Sequence, residues 1–156
     1  MTDMAIRTLT KTDYAVVQFI RERLANEWKI TTDEVDRNFI NPSFGKGFPF
    51  IYIASTSDGT FAGKIILTIE QRWFLGIDNA ACISGLFVPK EFRGRRIARK
   101  LIAICESVCR KLGYKKLYLD TRNSVSYYQK LGSWEILGTD AWKVDSVTIM
   151  AKKIYI

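Results

Sequence analysis

The sequence contains no histidine among its 156 residues. This absence excludes Ser-His-Asp and Cys-His catalysis and every metal site that uses an imidazole ligand. Any chemistry must therefore use a carboxylate, a tyrosine, a lysine, backbone groups or a cofactor. Cysteine is also scarce, and three cysteines do not make the disulfide framework of a small secreted domain. Cys105 and Cys109 share one face of a predicted helix, so we interpret them as small core residues rather than as half of a metal site.

The sequence also lacks a run of about 18 apolar residues, the length that a membrane-spanning helix needs. Its first residues do not form the apolar core of a signal peptide. We therefore expect a cytoplasmic protein with no membrane partner. A chain of 156 residues can bury most of its apolar surface in one core, and no linker, repeat or low-complexity segment divides it. The sequence predicts a single domain over residues 1–156.

The formal charge of +8 is unevenly distributed along the chain. Residues 1–88 carry nine Lys/Arg against ten Asp/Glu, whereas residues 89–156 carry fifteen against six. A positive field confined to the second part favours a polyanionic ligand there. A solvated basic face is the alternative, and it is the preferred interpretation for Lys115, Lys116, Lys152 and Lys153.

The stretch from Cys82 to Ile102 contains the most informative pattern of the chain. An apolar run ends at Val88, a proline follows, and a basic turn with Gly94 leads into a helix. That helix has an apolar face and ends at Gly113; the face comprises Ile97, Leu101, Ile104, Cys105, Val108 and Leu112. Unpaired backbone N–H groups and the positive end of the helix dipole meet at such a helix start. The pattern predicts a phosphate-binding site, with Arg93, Arg95, Arg96 and Arg99 around it.

Two segments resemble one known family. The run Arg93-Gly-Arg-Arg-Ile-Ala98 resembles the Q/R-x-x-G-x-G/A pyrophosphate loop of the GCN5-related N-acetyltransferase (GNAT) family, and Tyr127-Tyr-Gln-Lys-Leu-Gly132 resembles its F-Y-E-K-L-G-F segment. The two segments are joined by a helix and a strand, in the family's order, and cover roughly the last two thirds of the chain. A single basic glycine turn would be weak evidence, but the pair is specific.

The resemblance implies the fold. It is the α/β (α+β) GNAT fold, with a mixed sheet of about six or seven strands flanked by about four helices. An antiparallel meander precedes a parallel strand–helix–strand core, which uses the strand ending at Val88, the helix after the loop and the strand Lys116–Thr121.

The resemblance also implies the site, with acetyl-CoA as cosubstrate and no metal. The loop residues Arg93, Gly94, Arg95, Arg96, Ile97, Ala98 and Arg99 would hold the pyrophosphate. Amides near Leu86, Phe87 and Val88 would hold the pantetheine arm and the acetyl carbonyl, and Gly85 is compatible with a bulge that exposes them. Asn123 and Thr121 are candidates for the pantetheine amides, and Tyr128 matches the general acid of the family. A phenol with a pKa of about 10 stays protonated at neutral pH.

Arg96 departs from the family pattern because it replaces the inner glycine of the loop. If that position needs a positive φ, arginine is strained there and the loop is altered. If Arg96 is the first helical residue, its N–H points at the ligand and its guanidinium can bind a phosphate. The second alternative is preferred, because the pattern predicts a helix start at this point.

No general base is evident. The strand Cys82–Val88 contains no carboxylate where many relatives of the family have one. Glu70 and Asp78 are the nearest candidates in sequence, although structural roles are preferred for both. A water relay to either would also serve.

Periodicity and turn residues predict the remaining elements. Capping boxes at Thr10–Asp13 and Thr31–Glu34 open two helices, the first ending near Trp28. A short helix runs from Ser124 to Leu131. The predicted strands are Ile6–Leu9, Phe50–Ser55, Phe61–Ile69, Lys116–Thr121, Trp134–Leu137 and Val147–Ile154, with hairpin turns at 57–60 and 76–79. The aromatic loop Asn41–Pro49 is a connector that covers the core edge or, alternatively, a wall of the acceptor pocket.

These observations predict an enzyme, an acyltransferase that moves an acetyl group to a primary amine by direct attack in a ternary complex. The acceptor is a small molecule or a peptide or protein, and the positive charge argues against a polycationic aminoglycoside. Two alternatives stay open. One is a catalytically weak acetyl-CoA-binding regulator, and the other is a nucleic-acid-binding module that uses the basic C-terminal half. The sequence neither indicates nor excludes a homodimer.

Overall fold

The computed structural model describes residues 4–72, 76–140 and 146–154, without the side chains of residues 71, 72 and 140. Seven strands form one sheet in the order β1-β2-β3-β4-β5-β7-β6. The strands are β1 (Ala5–Thr8), β2 (Phe50–Ser55), β3 (Phe61–Arg72), β4 (Ile77–Phe87), β5 (Lys116–Thr121), β6 (Trp134–Asp140) and β7 (Val147–Lys153). The helices are α1 (Tyr14–Trp28), α2 (Thr32–Val35), α3 (Asn41–Ser43), α4 (Ile97–Lys111) and α5 (Val125–Leu131). A π-helical turn (Asp36–Ile40) joins α2 to α3, and a 3-10 turn (Lys90–Phe92) follows β4.

The sheet is mixed, as the sequence predicts. Antiparallel pairs join β1 to β2, β2 to β3, β5 to β7 and β6 to β7, whereas β4 runs parallel to β5 with Cys82 opposite Tyr118. Parallel neighbours need a crossover connection, and α4 supplies it. The predicted α/β fold with a parallel strand–helix–strand core is therefore confirmed.

The chain divides into two compact units. The first contains Met1–Thr68 and Gly85–Leu101, and the second contains Ile69–Ser84 and Ile102–Ile156. The boundary passes through β3, β4 and α4, so each of these elements contributes to both units. The assignment of the whole chain to one domain remains a prediction. Within the described ranges, no helix has the length and apolar character needed to cross a membrane.

In the first unit, α1 covers one face of the strands. Val17, Ile20 and Leu24 recur at helical spacing and are buried in one cluster with Ile51 and Ile53 of β2. Each fully buried aliphatic side chain contributes roughly 1.5–3 kcal/mol by leaving water. This cluster therefore fixes α1 against the sheet.

The start of α1 corrects the capping-box prediction. Thr10 does not cap the helix, because α1 begins at Tyr14 with Asp13 as the preceding residue. The carboxylate of Asp13 instead turns back, accepting hydrogen bonds from the Thr10 amide and hydroxyl at 2.8 and 2.9 Å and pairing with the Arg7 guanidinium at 2.6 Å. The hydrogen bond from Arg7 is the main reason that the pKa of Asp13 lies far below its ordinary value.

The second capping prediction is confirmed, because the Thr31 hydroxyl accepts the Glu34 N–H at 3.1 Å. The helical segment extends beyond the predicted boundary, through a π-helical turn to Ser43. The Asn41 N–H there donates to the Asp36 carbonyl, and Pro42 follows without needing an acceptor. Residues 41–43 are therefore helical rather than loop.

Other boundaries also moved. The predicted turn at 76–79 is only partly right. Gly76 has φ +66° and lies in the turn, but Ile77 already belongs to β4. Residues 73–75 and 141–145 lie outside the described residues, so the predicted connections there are not described.

The C-terminal part of α4 lies in the second unit, where Ile102, Cys105 and Cys109 are buried. Leu112 follows the last helical residue and is 54% exposed, so its predicted place on the apolar face is wrong. The helix ends at Gly113, which has φ +87°, and the Tyr114 N–H returns to the Cys109 carbonyl.

Cys105 and Cys109 are buried free thiols, which confirms their interpretation as core residues. Burial raises the pKa of both, that of Cys109 to about 11, so neither is a reactive thiolate at neutral pH. Among the described residues, no cluster of His, Cys, Asp and Glu could hold a metal ion.

Asp13→Ala should lower the free energy of unfolding by about 1–2 kcal/mol, because it removes the acceptor of the Thr10 amide and the partner of Arg7. The pKa of Asp13 is depressed in the folded state, so its contribution is present above the ordinary value of 3.8 and is lost as the pH falls below it. Urea unfolding at pH 7 and pH 3 should therefore show a smaller difference from the wild type at pH 3. Lys11→Ala, an exposed change in the same segment, is the control. An equal loss at both pH values would contradict this account.

Candidate active site

The strand that precedes the basic loop contains a left-handed residue, Gly85. This residue has φ +59°, a left-handed conformation that glycine adopts without strain. A regular strand alternates its side chains and pairs every backbone group, and a left-handed residue interrupts both patterns. Leu86, Phe87 and Val88 follow the interruption and are half-buried. Backbone amides in this segment are therefore candidates for binding a ligand.

The ring of Phe87 is held from two sides. The Phe19 ring centroid lies 5.4 Å away, and the Arg23 guanidinium carbon lies 4.0 Å from the centroid of Phe87. The backbone of Phe87 is equally constrained, because a methyl group at Gly63 would lie 3.0 Å from its carbonyl oxygen. The end of β4 thus keeps a defined position against β3 and α1.

The loop between β4 and α4 is tied to the strand end. Arg93 donates from Nε to the Val88 carbonyl at 3.0 Å, and the turn Lys90–Phe92 is closed by the Phe92 N–H on the Pro89 carbonyl. Gly94 then has φ +80° with open space around it. The strand end and the helix start are therefore joined by a short, hydrogen-bonded turn.

Arg96 is not the first helical residue, contrary to the preferred prediction. It has φ +62°, and α4 begins at Ile97. The Arg96 carbonyl accepts the Lys100 N–H at 3.2 Å, so Arg96 lies at the cap position of the helix. A left-handed conformation strains every residue that has a Cβ, by about 1–2 kcal/mol. The family glycine at this position therefore has a conformational reason, and arginine is accommodated with strain.

The loop suits a diphosphate. Arg93, Arg95, Arg96 and Arg99 are all exposed at or beside the start of α4, and Arg95 stacks over the Phe92 ring at 5.3 Å. The N–H groups of Ile97 and Ala98 have no acceptor within the helix, because they belong to its first turn. Ile97 itself is buried and anchors this turn. Positive charge, backbone donors and a fixed helix start coincide, which is what phosphate binding needs.

Lys64 was missed by the sequence analysis, which placed it inside an apolar strand without a role. Its side chain is fully buried, and Nζ donates to the Gly85 carbonyl at 2.5 Å. Burial lowers the pKa of Lys64 to about 8; the Glu27 carboxylate opposes the shift and the Arg23 guanidinium adds to it. A single lysine in an apolar run produces no periodic pattern in the sequence. Its burial and its hydrogen bond are evident only from the packing of the structure.

The other predicted site residues lie in the second unit. Tyr128 on α5 is buried, with its ring 5.7 Å from Trp134 and 5.3 Å from Tyr127, which is 42% exposed. Burial raises the pKa of Tyr128 to about 12, and Tyr127 adds a smaller effect, so its phenol stays protonated across the physiological range. Its catalytic role is not tested by this geometry and stays a prediction.

Asn123 and Thr121 precede α5. Asn123 is exposed, whereas the Thr121 hydroxyl is buried and accepts the Ser124 N–H at 3.0 Å. Thr121 therefore stabilises the turn between β5 and α5, and its hydroxyl hydrogen can still donate to another partner. Asn123 keeps its predicted role as a candidate for the pantetheine amides.

The two base candidates are poorly placed on their strands. Asp78 is the second residue of β4, at the end opposite Phe87. Glu70 is exposed in the last part of β3. Structural or solvated roles remain the better interpretation of both.

Known proteins share this architecture over nearly the whole chain. A crystal structure of an aminoglycoside 6'-N-acetyltransferase complexed with coenzyme A superposes with a TM-score of 0.72 at 16% identity, covering 97% of this chain and 98% of that one. A GNAT-family acetyltransferase from Staphylococcus aureus Mu50 gives 0.68 at 17% identity, covering 98% and 100%. At such low identities the similarity concerns the fold.

Sequence comparison gives a closer relation. The glucosamine 6-phosphate N-acetyltransferase of Arabidopsis thaliana is 27% identical over 106 residues, which cover 66% of this chain and 70% of the relative. The proteins that share this fold, and the relative in sequence, are acetyltransferases. The model of the acetyltransferase (GNAT) family matches residues 13–133, and the chain belongs to this family. The resemblance stated from the sequence is therefore confirmed, and the protein is an acyltransferase.

Arg96→Gly should give a more stable protein than Arg96→Ala, by about 1 kcal/mol. Glycine removes a left-handed strain of about 1–2 kcal/mol. It also increases the conformational entropy of the unfolded chain, which lowers the free energy of unfolding by about 0.5–1 kcal/mol. Both variants lose the guanidinium, so they differ only in the backbone effect. Urea unfolding of the pair measures it, and an alanine variant as stable as the glycine variant would contradict a strained Arg96.

Proposed function

We propose that the protein transfers the acetyl group of acetyl-CoA to a primary amine by direct attack in a ternary complex. One observation carries the proposal. Within a single unit, a strand end interrupted at Gly85 leads into a basic helix start, and the Arg93 side chain ties the two together at Val88. Such an arrangement provides backbone donors for a thioester arm and positive charge for a diphosphate.

The residues present fit coenzyme A. Gly94 leaves open space at the turn, and the exposed guanidinium groups of Arg93, Arg95, Arg96 and Arg99 supply the charge. Arginine can bind two phosphate oxygens at once, which a lysine cannot do. Amides of Leu86, Phe87 and Val88 are proposed to bind the pantetheine arm and the acetyl carbonyl, and Asn123 a pantetheine amide.

When bound, acetyl-CoA supplies the acetyl group as a thioester. Amides near Phe87 are proposed to stabilise the negative charge that develops on the carbonyl oxygen. The acceptor nitrogen forms a bond to the carbonyl carbon, the carbon–sulfur bond breaks, and the proton that the amine loses passes to water. The Tyr128 hydroxyl is proposed to give its proton to the leaving sulfur and to regain one from water, a role that rests on the match of Tyr127–Gly132 to the family segment.

The acceptor is proposed to be a small primary amine. The Arabidopsis relative carries a phosphorylated amino sugar in its name, and some structural neighbours are aminoglycoside acetyltransferases. A formal charge of +8 attracts an anionic acceptor and repels a polycationic one. A panel of glucosamine 6-phosphate, glucosamine, an aminoglycoside and a lysine peptide, followed by release of free thiol, tests this ranking.

The double variant Arg93→Glu with Arg96→Glu should weaken acetyl-CoA binding at least tenfold, about 1.4 kcal/mol. Glutamates repel the diphosphate and remove guanidinium donors from the helix start. Titration calorimetry measures the dissociation constant, and the salt concentration must be fixed because charge contributes.

Lys115→Glu with Lys116→Glu is the matched control, because it changes the net charge equally at exposed lysines beside β5. It should bind acetyl-CoA nearly as the wild type does. Equal weakening in both variants would mean that net charge, not the loop, attracts the cofactor. Wild-type protein that binds nucleic acid with a steep salt dependence, and no acetyl-CoA, would support the nucleic-acid alternative.

Tyr128→Phe should leave the dissociation constant of acetyl-CoA unchanged and lower kcat by about 100-fold, in the range typical of a lost general acid. Phenylalanine keeps the ring contact with Trp134, so the fold should be preserved. Free thiol released with the best acceptor of the panel measures the rate.

Tyr127→Phe provides the comparison, since it removes the hydroxyl of the neighbouring tyrosine, a residue that is 42% exposed. It should retain wild-type turnover. If Tyr128→Phe is as active as Tyr127→Phe, Tyr128 is not the general acid, although the family's acetyl transfer would still hold.

A further inference from the structure

Lys64 occupies a position where a lysine is unexpected. It lies in β3 between Gly63 and Ile65, and the neighbouring Ile65, Ile66 and Leu67 are fully buried. The lysine side chain is itself fully buried. Taking an ammonium group out of water is unfavourable unless hydrogen bonds compensate for the lost hydration. An aliphatic residue would avoid this cost, so the local structure must use the amine.

The partner of Lys64 is the interrupted strand. Its Nζ donates to the Gly85 carbonyl at 2.5 Å, across from β3 to β4. Because Gly85 has φ +59°, its carbonyl is turned away from the direction that a regular strand residue would give it. A buried carbonyl without a partner costs about 1–3 kcal/mol. The Lys64 amine supplies that partner.

The space around Gly85 is limited by the side chain of Lys64. A methyl group at Gly85 would lie 3.0 Å from Lys64 Nζ and 3.2 Å from Ile66 Cδ1. A side chain at residue 85 would therefore push against the amine as well as strain the backbone. The packing around Lys64 therefore favours glycine at position 85.

We propose that Lys64 is a positioning residue, whose hydrogen bond to the Gly85 carbonyl holds the interruption of β4 and so directs the following amides of Leu86 and Phe87 at the acetyl carbonyl. The inference deepens the proposed function and rests on it. Lys64 does not touch the reacting atoms in this role. It acts through the backbone of residues 85–87.

The charges around Lys64 are Glu27 and Arg23, both on α1. They form an ion pair with Arg23 Nε 2.8 Å from Glu27 Oε1, and they shift the pKa of Lys64 in opposite directions. A neutral lysine amine still has two N–H donors. The hydrogen bond to Gly85 therefore persists on both sides of pH 8, and the positioning effect should not follow the titration of Lys64.

The test is the 13C chemical shift of the carbonyl in [1-13C]acetyl-CoA bound to wild-type protein, Lys64→Met and Lys64→Arg. Methionine is unbranched, apolar and of similar length, so it can fill the site without a donor. Hydrogen bonds from amides polarise the carbonyl and move its signal downfield. We expect a downfield shift in the wild type and in Lys64→Arg, and loss of most of it in Lys64→Met. The dissociation constant of CoA itself should stay within about threefold, because the basic loop is intact.

Ile65→Met is the matched control, a neighbouring buried residue whose side chain points to the opposite face of β3. It should keep the wild-type shift. If Lys64→Met does not fold, Gly85→Ala tests the same pair from the other strand and should lose the shift too. Crystal structures of the folded variants give a second readout, since φ of residue 85 should leave the positive region in Lys64→Met.

The outcomes separate the two proposals. Wild-type protein that fails to bind acetyl-CoA overturns the proposed function, and this inference falls with it. Wild-type protein that binds acetyl-CoA, together with a Lys64→Met protein whose carbonyl shift or Gly85 conformation is unchanged, overturns only the positioning role. A third outcome also overturns the positioning role: Lys64→Met weakens the binding of CoA as much as it weakens the binding of acetyl-CoA. The defect would then be a general structural one.

Discussion

The hydrogen bond between Lys64 and the Gly85 carbonyl connects a buried amine of β3 to a left-handed residue within β4, and the proposed cofactor site begins at that residue. A sheet normally uses all of its backbone donors and acceptors internally, so it has none to offer a ligand. Gly85, Gly94 and Arg96 leave that pattern by adopting positive φ values within one short segment. Each departure redirects backbone groups. The Lys64 amine is the partner of the redirected carbonyl at Gly85, Gly94 adopts its conformation without strain, and Arg96 is strained.

Much of the fold could be predicted, because its elements follow from simple periodicities. The apolar spacing in α1 matches the residues that the structure buries, and the Asp-Gly pair marks the hairpin between β2 and β3. Parallel pairing of β4 with β5 follows from the helix between them. The basic turn before α4 was evident for the same reason, since a strand, a glycine and an amphipathic helix are all local signals.

The errors arose where a contact that the local pattern does not contain overrules a local preference. Thr10 and Asp13 have the spacing of a capping box, and the Thr10 amide does donate to the Asp13 carboxylate, but the Thr10 hydroxyl donates to the same carboxylate and the helix begins only at Tyr14. The backbone angle of Arg96 depends on the closure of the whole turn, and a helix-start pattern does not contain it. Lys64 was invisible because its partner is a backbone carbonyl on another strand. Every residue has a backbone carbonyl, so a sequence pattern cannot identify which one accepts this hydrogen bond.

The proposed mechanism relies on backbone geometry more than on titratable groups, since the sequence contains no histidine and the strand Cys82–Val88 contains no carboxylate. Preorganised donors lower a barrier because they need no rearrangement as charge develops, and their effect is lost when they are displaced slightly. A donor on a backbone amide can only be as well positioned as the chain around it. The proposed positioning role gives a use to the buried charge of Lys64, which an apolar side chain could replace for stability alone.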